Sequence, residues 1–280
     1  MTATTTLPSA EAPAVSPEPS RIAAAFDAAR VAGRTALIPY LTGGFPDMAT
    51  VEAAVPALVR GGADLVEIGV PFSDPLADGT TVQRTSQAAL AHGTRLADCI
   101  DLVGRLRRDH GLTVPIVLMG YYNPILQYGL ERAAAHAASS GVDGFIVPDL
   151  PAEESDDFLA ACRTHGRDLI FLVAPTSTDA RLAEVGRRAS GFIYCVSITG
   201  VTGARTDLAG DLPGYLARVR AASDLPRAVG FGISTREHVE TVGRHAEGAV
   251  VASALLNHLE ALAPADHPAA AEAFVRSLRG

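Results

Sequence analysis

Eight short apolar runs, each followed by a stretch of helical character, constrain this chain more than any other feature. They are Ala36–Leu41, Asp64–Ile68, Ile116–Met119, Gly144–Val147, Leu169–Val173, Phe192–Ser197, Ala228–Phe231 and Ala249–Val251. Each is rich in Val, Ile or Leu and lacks polar alternation. That is the pattern of a strand buried on both faces of a parallel sheet. The intervening segments carry helix signals. Asp47 can cap a helix that reaches Gly61-Gly62, Pro151 stands at a helix start with Gly166 past its end, and Ser234-Thr235-Arg236-Glu237 reads as a capping box. Pro56 falls inside the first of these helices and predicts a kink there. His92-Gly93, His110-Gly111 and His165-Gly166 read as helix ends, because none of these histidines has another His, Cys or acid at ligand spacing. Eight strand–helix units predict an α/β fold, a TIM (β/α)8 barrel, with residues 21–280 as a single domain.

Bulk properties narrow the functional classes. The formal net charge is −8 with no basic run, which argues against nucleic acid or an anionic membrane as partner. No apolar stretch approaches the roughly 20 residues needed to span a bilayer. Residues 1–20 are mostly Ala, Thr, Pro, Ser and Glu without periodicity and predict a disordered tail. That tail lacks the features of a secretory signal or a transit peptide. Cys99, Cys162 and Cys195 are isolated and odd in number, so they predict buried thiols in a reducing, cytoplasmic compartment, with no disulfide and no metal site. The chain contains no lysine, so all 23 of its basic residues other than histidine are arginine. Schiff-base chemistry and a P-loop lysine are thereby excluded.

The unit around the second run is the longest, with an additional helix near Thr81–Ala91. It holds Glu67-Ile-Gly-Val-Pro-Phe-Ser-Asp-Pro-Leu-Ala-Asp78-Gly79. A carboxylate inside a buried strand is costly unless it has a task. Glu67 is either a proton shuttle with a raised pKa or a structural acid paired with an arginine. Asp78, on the loop beyond, is either the second member of a catalytic pair or a solvated turn residue. In a (β/α)8 barrel the chemistry sits at the C-terminal strand ends. Glu67, Asp78, Asn123, Asp149, Tyr194, Gly203, Gly232 and Ser253 fall there. Gly200-Val-Thr-Gly203, Gly230-Phe-Gly-Ile-Ser234 and Ala252-Ser253-Ala254 follow the sixth, seventh and eighth runs. They are either turns or a phosphate cradle of backbone N–H groups. Tyr40, Phe45, Phe72, Tyr121, Tyr122 and Tyr194 lie near strand ends, where they either fill core or face a flat apolar ligand.

From about Phe26 to Leu256 the chain resembles the tryptophan synthase alpha chain family. The Glu67–Gly79 segment carries most of the likeness, supported by Pro39-Tyr-Leu-Thr42, Met119-Gly-Tyr-Tyr-Asn-Pro124, Val147-Pro-Asp-Leu-Pro151, Gly200-Val-Thr-Gly203 and Val229-Gly-Phe-Gly-Ile-Ser234. The resemblance implies a lyase that cleaves indole-3-glycerol phosphate to indole and glyceraldehyde 3-phosphate. Glu67 and Asp78 would be catalytic. Tyr40, Tyr121, Tyr194 and Thr202 would bind substrate, and Gly203, Gly232, Ala252 and Ser253 its phosphate. Gly200–Leu212 would be a loop closing over substrate, with Thr202 reaching toward Asp78. Pro71, Ser73 and Asp74 would face a beta chain in an assembly of two alpha and two beta chains. Pyridoxal phosphate would belong to that beta chain alone, leaving this chain without a cofactor.

Two departures from the family pattern stand out. Thr80 occupies the place of a usual proline after Ala-Asp-Gly, which should loosen the Asp78 loop. Ala252 stands where glycine is common in the phosphate turn and restricts backbone approach. Three other readings compete: a stand-alone lyase releasing free indole, a barrel that only activates a partner, and another sugar-phosphate enzyme on the same fold.

Overall fold

The computed structural model describes residues 20–197, 211–230 and 232–279. Helix α1 (Arg21–Val31) precedes the first strand. The repeating part begins β1 (Ala36–Thr42), α2 (Met48–Arg60), β2 (Val66–Gly69), then α3 (Thr80–Ala91) and α4 (Leu96–Arg108) in succession. It continues β3 (Ile116–Met119), α5 (Tyr122–Tyr128), α6 (Leu130–Ser140), β4 (Gly144–Ile146), α7 (Asp156–Thr164), β5 (Asp168–Ile170) and β6 (Leu172–Val173). It ends α8 (Asp179–Arg188), β7 (Ile193–Val196), α9 (Leu212–Ala222), β8 (Arg227–Gly230), α10 (Arg236–Gly243), β9 (Gly248–Val251), α11 (Ser253–Glu260) and α12 (His267–Arg279).

All strand pairs are parallel, in the order β5-β4-β3-β2-β1-β9-β8-β7-β6. The two ends of that row are one stretch of chain on either side of Phe171. The Tyr194 amide donates to the Phe171 carbonyl at 3.0 Å, so the sheet closes on itself as a TIM barrel. This corrects the fifth predicted run, Leu169–Val173. It divides because β5 pairs only with β4 and β6 only with β7, so the ladder changes partner at Phe171.

The inward side chains alternate along each strand, as a pleat requires. Ile38, Leu65, Val117, Ile146, Ile170, Phe192, Ala228 and Val250 fill the barrel as one buried cluster. Ile22, Phe26 and Ala29 of α1 join that cluster, and the Phe26 ring lies 5.5 Å from that of Phe192. Helix α1 therefore plugs the N-terminal end of the cylinder. Ser20 caps it through the Ala23 amide, and Arg21 ties it to Asp143 at 2.9 Å. A second, larger cluster lies between the strands and the surrounding helices. The C-terminal strand ends lie at the opposite end of the cylinder from this plug.

Local signals hold in most places. Asp47 caps α2 through the Thr50 amide at 2.8 Å, and Pro56 lies within that helix. His92 and His165 end α3 and α7, with Gly93 and Gly166 at positive φ behind them. Two signals shift. Pro151 starts only a short 3-10 turn, Ala152–Glu154, and α7 begins after Ser155. The cap of α10 is Thr235, not Ser234: its side chain accepts from the His238 amide, and Glu237 falls one place short of a capping box. Among the described residues the three cysteines are buried and unbridged. No helix among those residues is long and apolar enough to cross a membrane, and no group of three His, Cys, Asp or Glu is placed to hold a metal.

Candidate active site

Glu67 lies in β2 between two residues that face the helices, so its own side chain points into the barrel. It is fully buried, and neither carboxyl oxygen has a hydrogen-bond partner among the described residues. An ionised carboxylate is strongly disfavoured in such a place. Burial, and then the charge of Asp78, push the Glu67 pKa up to about 8. Among the described residues no arginine pairs with it.

Asp78 stands on the loop that leads from β2 into α3. It is half-buried, and burial raises its pKa to about 6 while a hydrogen bond from the Tyr121 phenol pulls in the opposite direction. Tyr121 follows β3, on the neighbouring strand. Its oxygen also accepts from the Ala77 amide at 2.9 Å, and its ring stacks on Phe72 at 5.1 Å. The loop is thus pinned by an aromatic side chain that comes from elsewhere in the chain. Gln83 adds a bond to the Asp78 carbonyl at 2.8 Å. Near neutral pH this pair of acids is split: Glu67 holds its proton and Asp78 is mostly ionised.

Tyr40 is the register partner of Glu67 across β1 and β2. Tyr194 points inward from β7. Both phenols are buried, and burial followed by the negative charges of Glu67 and Asp78 raises their pKa values well above the ordinary range. They stay neutral and offer O–H groups beside the two acids. Room for them comes from two glycines. A Cβ on Gly69 would overlap the Tyr40 ring, and one on Gly230 would overlap that of Tyr194. Gly230, which opens the turn read as a phosphate site, also leaves room for the Tyr194 ring. The sequence carried no signal for either contact beyond a glycine at a strand end.

On the other side of the mouth, Gly232 has φ +80 just after β8, and Ala252-Ser253 opens α11 just after β9. Gly232 and Ser253 are exposed, and no side chain caps the first turn of α11, which leaves its N–H groups facing outward. Around the barrel the order runs Glu67 on β2, Tyr40 on β1, Ser253 after β9, Gly232 after β8 and Tyr194 on β7. These five residues therefore share one rim. Asn123 and Asp149 lie on the same rim, where Asp149 accepts from the Tyr122 amide at 2.9 Å and so fixes the start of α5. Thr202 and Gly203, and the loop-closing segment up to residue 210, lie outside the described residues.

Of the predicted contact residues, Ser73 and Asp74 are exposed and bonded to each other at 2.6 Å, whereas Pro71 is buried within this chain. Leu76, which the sequence did not single out, is 93% exposed on the same loop. Thr80 is the first residue of α3, and Ala252 stands just before α11.

The family model described as tryptophan synthase alpha chain matches residues 26–278. The tryptophan synthase alpha chain of Roseiflexus sp. (strain RS-1) is 58% identical over 261 residues, spanning 93% of this chain and all of that one. That of Chloroflexus aurantiacus is 53% identical over 92% of this chain and 97% of its own. Among solved structures, tryptophan synthase subunit alpha from Legionella pneumophila superposes with a TM-score of 0.83 at 35% identity, covering 93% of this chain and 97% of that one. A tryptophan synthase structure from Mycobacterium tuberculosis gives 0.84 at 40% identity, with the same coverage.

Proposed function

This chain belongs to the tryptophan synthase alpha chain family, and from that premise we propose how its mouth works as a lyase. The substrate is indole-3-glycerol phosphate, and the products are indole and glyceraldehyde 3-phosphate. The observation that carries the reading is the split pair of acids: one carboxyl kept protonated by burial, one held on a pinned loop with a lower pKa.

Breaking a carbon–carbon bond needs somewhere for the electron pair to go. A chain without lysine cannot form an iminium with its substrate, so the indole ring itself must accept the electrons. Glu67 delivers its proton to indole C3, and the ring becomes an electron-poor indoleninium. The Glu67 carboxylate then takes the proton from the side-chain hydroxyl next to the scissile bond. The bond breaks, its electrons restore the aromatic ring, and an aldehyde remains on the glycerol fragment. Glu67 has regained its proton, so the step is balanced. Asp78 accepts a hydrogen bond from the indole N–H and stabilises the positive charge that develops on the ring. Tyr40, Tyr121 and Tyr194 wall the indole and keep water out. Gly203, Gly232, Ala252 and Ser253 hold the phosphate across the rim, so the glycerol chain lies between the two groups.

The indole passes to a beta chain through the face carrying Ser73 and Asp74, with Pro71 buried behind them, in an assembly of two alpha and two beta chains in the cytoplasm. Pyridoxal phosphate resides in the beta chain, and this chain works without cofactor or metal. The test is to incubate the purified chain with indole-3-glycerol phosphate, with and without a beta chain, and to assay indole. Wild type should release indole, faster with the beta chain. Glu67→Gln and Asp78→Asn should each lose about 100-fold or more in turnover with an unchanged circular dichroism spectrum. Near-normal turnover in either variant defeats the assignment. Indole formation that ignores an added beta chain favours the stand-alone lyase.

A further inference from the structure

The closed end of the barrel carries a feature that the lyase reaction does not use. A groove of about 710 Å3 runs beside the N-terminal ends of β1, β8 and β9, next to the end of α1. That volume falls within the range of small-ligand sites. Seven arginines line it against two glutamates, Glu240 and Glu247. Carboxylates are so scarce there that they are shared. Glu247 serves both Arg220 and Arg227, at 3.2 and 2.8 Å. Asp64, just behind the groove, serves both Arg34 and Arg279. Among the described residues Arg30 is paired only with the exposed Asp27, at 2.9 Å. Arg244 is exposed and has no carboxylate partner among the described residues. Set against Glu240, Glu247, Asp64 and Asp27, the seven arginines leave three guanidinium charges in excess among the described residues. This surplus stands on a chain whose net charge is −8.

Like charges crowded in this way repel, and a bound anion relieves them. Guanidinium groups match phosphate oxygens in bidentate geometry. The exposed pairs on the rim are weak enough to open for an incoming anion. Phe26, Val239 and Leu278 give the groove an apolar floor beside the arginines.

We propose that this groove binds a small polyanion made of linked phosphates, either free or carried on a nucleoside. It lies at the opposite end of the barrel from Gly232 and Ser253 and is independent of the substrate phosphate.

Calorimetric titration of the full-length chain at low salt, with tripolyphosphate, ATP and adenosine in separate runs, tests this. Tripolyphosphate and ATP should both bind with a Kd below about 1 mM, and adenosine should not. Equal affinities mean that the phosphates alone are recognised, and a tighter Kd for ATP means that the apolar floor contacts the nucleoside; either supports the site. Arg244→Glu should weaken binding about tenfold or more and leave indole formation unchanged. Ser253→Ala, altered at the other phosphate position, should bind tripolyphosphate as wild type does. No binding of either polyanion at millimolar concentration, or an Arg244→Glu variant that binds normally, overturns the proposal.

Discussion

A carboxyl group with no hydrogen-bond partner among the described residues is the one on which the chemistry turns. Glu67 was legible in the sequence because an acid interrupts an apolar run, and Asp78 because it closes the loop that follows. Their division of labour was not legible. It depends on how completely the barrel buries Glu67 and on Tyr121, which reaches Asp78 from the next strand. In sequence Tyr121 is only an aromatic residue at a strand end. If cleavage needs Glu67 protonated and Asp78 ionised, the kcat/KM of wild type should be bell-shaped, with limbs near pH 6 and 8. Tyr121→Phe removes a bond that lowers the Asp78 pKa, so its acidic limb should move to higher pH while the basic limb stays. A pH–rate profile of the two proteins checks both points.

The same burial has a cost in stability, with a definite sign. The folded-state pKa of Glu67 is raised, so the unfolded chain releases this proton first as pH rises. Stability attributable to Glu67 is full below the ordinary glutamate range and is lost as pH climbs toward about 8. Glu67→Gln has no such proton to lose. Its stability relative to wild type should therefore improve by about 3 kcal/mol between pH 5 and pH 8, measured by urea unfolding at each pH.

At the scale of elements, the positions of the strands were readable because strands buried on both faces are nearly continuous apolar runs. What the runs could not tell is where a strand changes neighbours. Leu169–Val173 is equally apolar throughout, and only the closure of the barrel at Phe171 divides it. The helix starts at Pro151 and Ser234 were misplaced, the second by a single residue, for a related reason. Several capping residues lie side by side there, and tertiary packing selects among them. The role of α1 was not legible either, since a helix ahead of the first strand has no fixed place in the repeat. Phe26 is 4% exposed beneath Phe192. Phe26→Leu should cost about 1–2 kcal/mol in urea unfolding. Its turnover should stay within a few-fold of wild type, because the plug lies at the far end of the barrel from Glu67.

For the whole molecule, closure is what turns a list of strand ends into one rim. Residues far apart in sequence, such as Glu67, Tyr194 and Ser253, come together only because β1 sits between β2 and β9 and the sheet meets itself at Phe171. With α1 sealing one end, the acids have an apolar floor beneath them. That geometry, more than any one contact, keeps a proton on Glu67 near neutral pH. The most direct measurement is an infrared difference spectrum of the whole protein against Glu67→Gln, titrated from pH 5 to pH 9. A protonated carboxyl band that persists at pH 7 and fades with a midpoint near 8 is expected. A Glu67 already ionised at pH 6 would contradict the account.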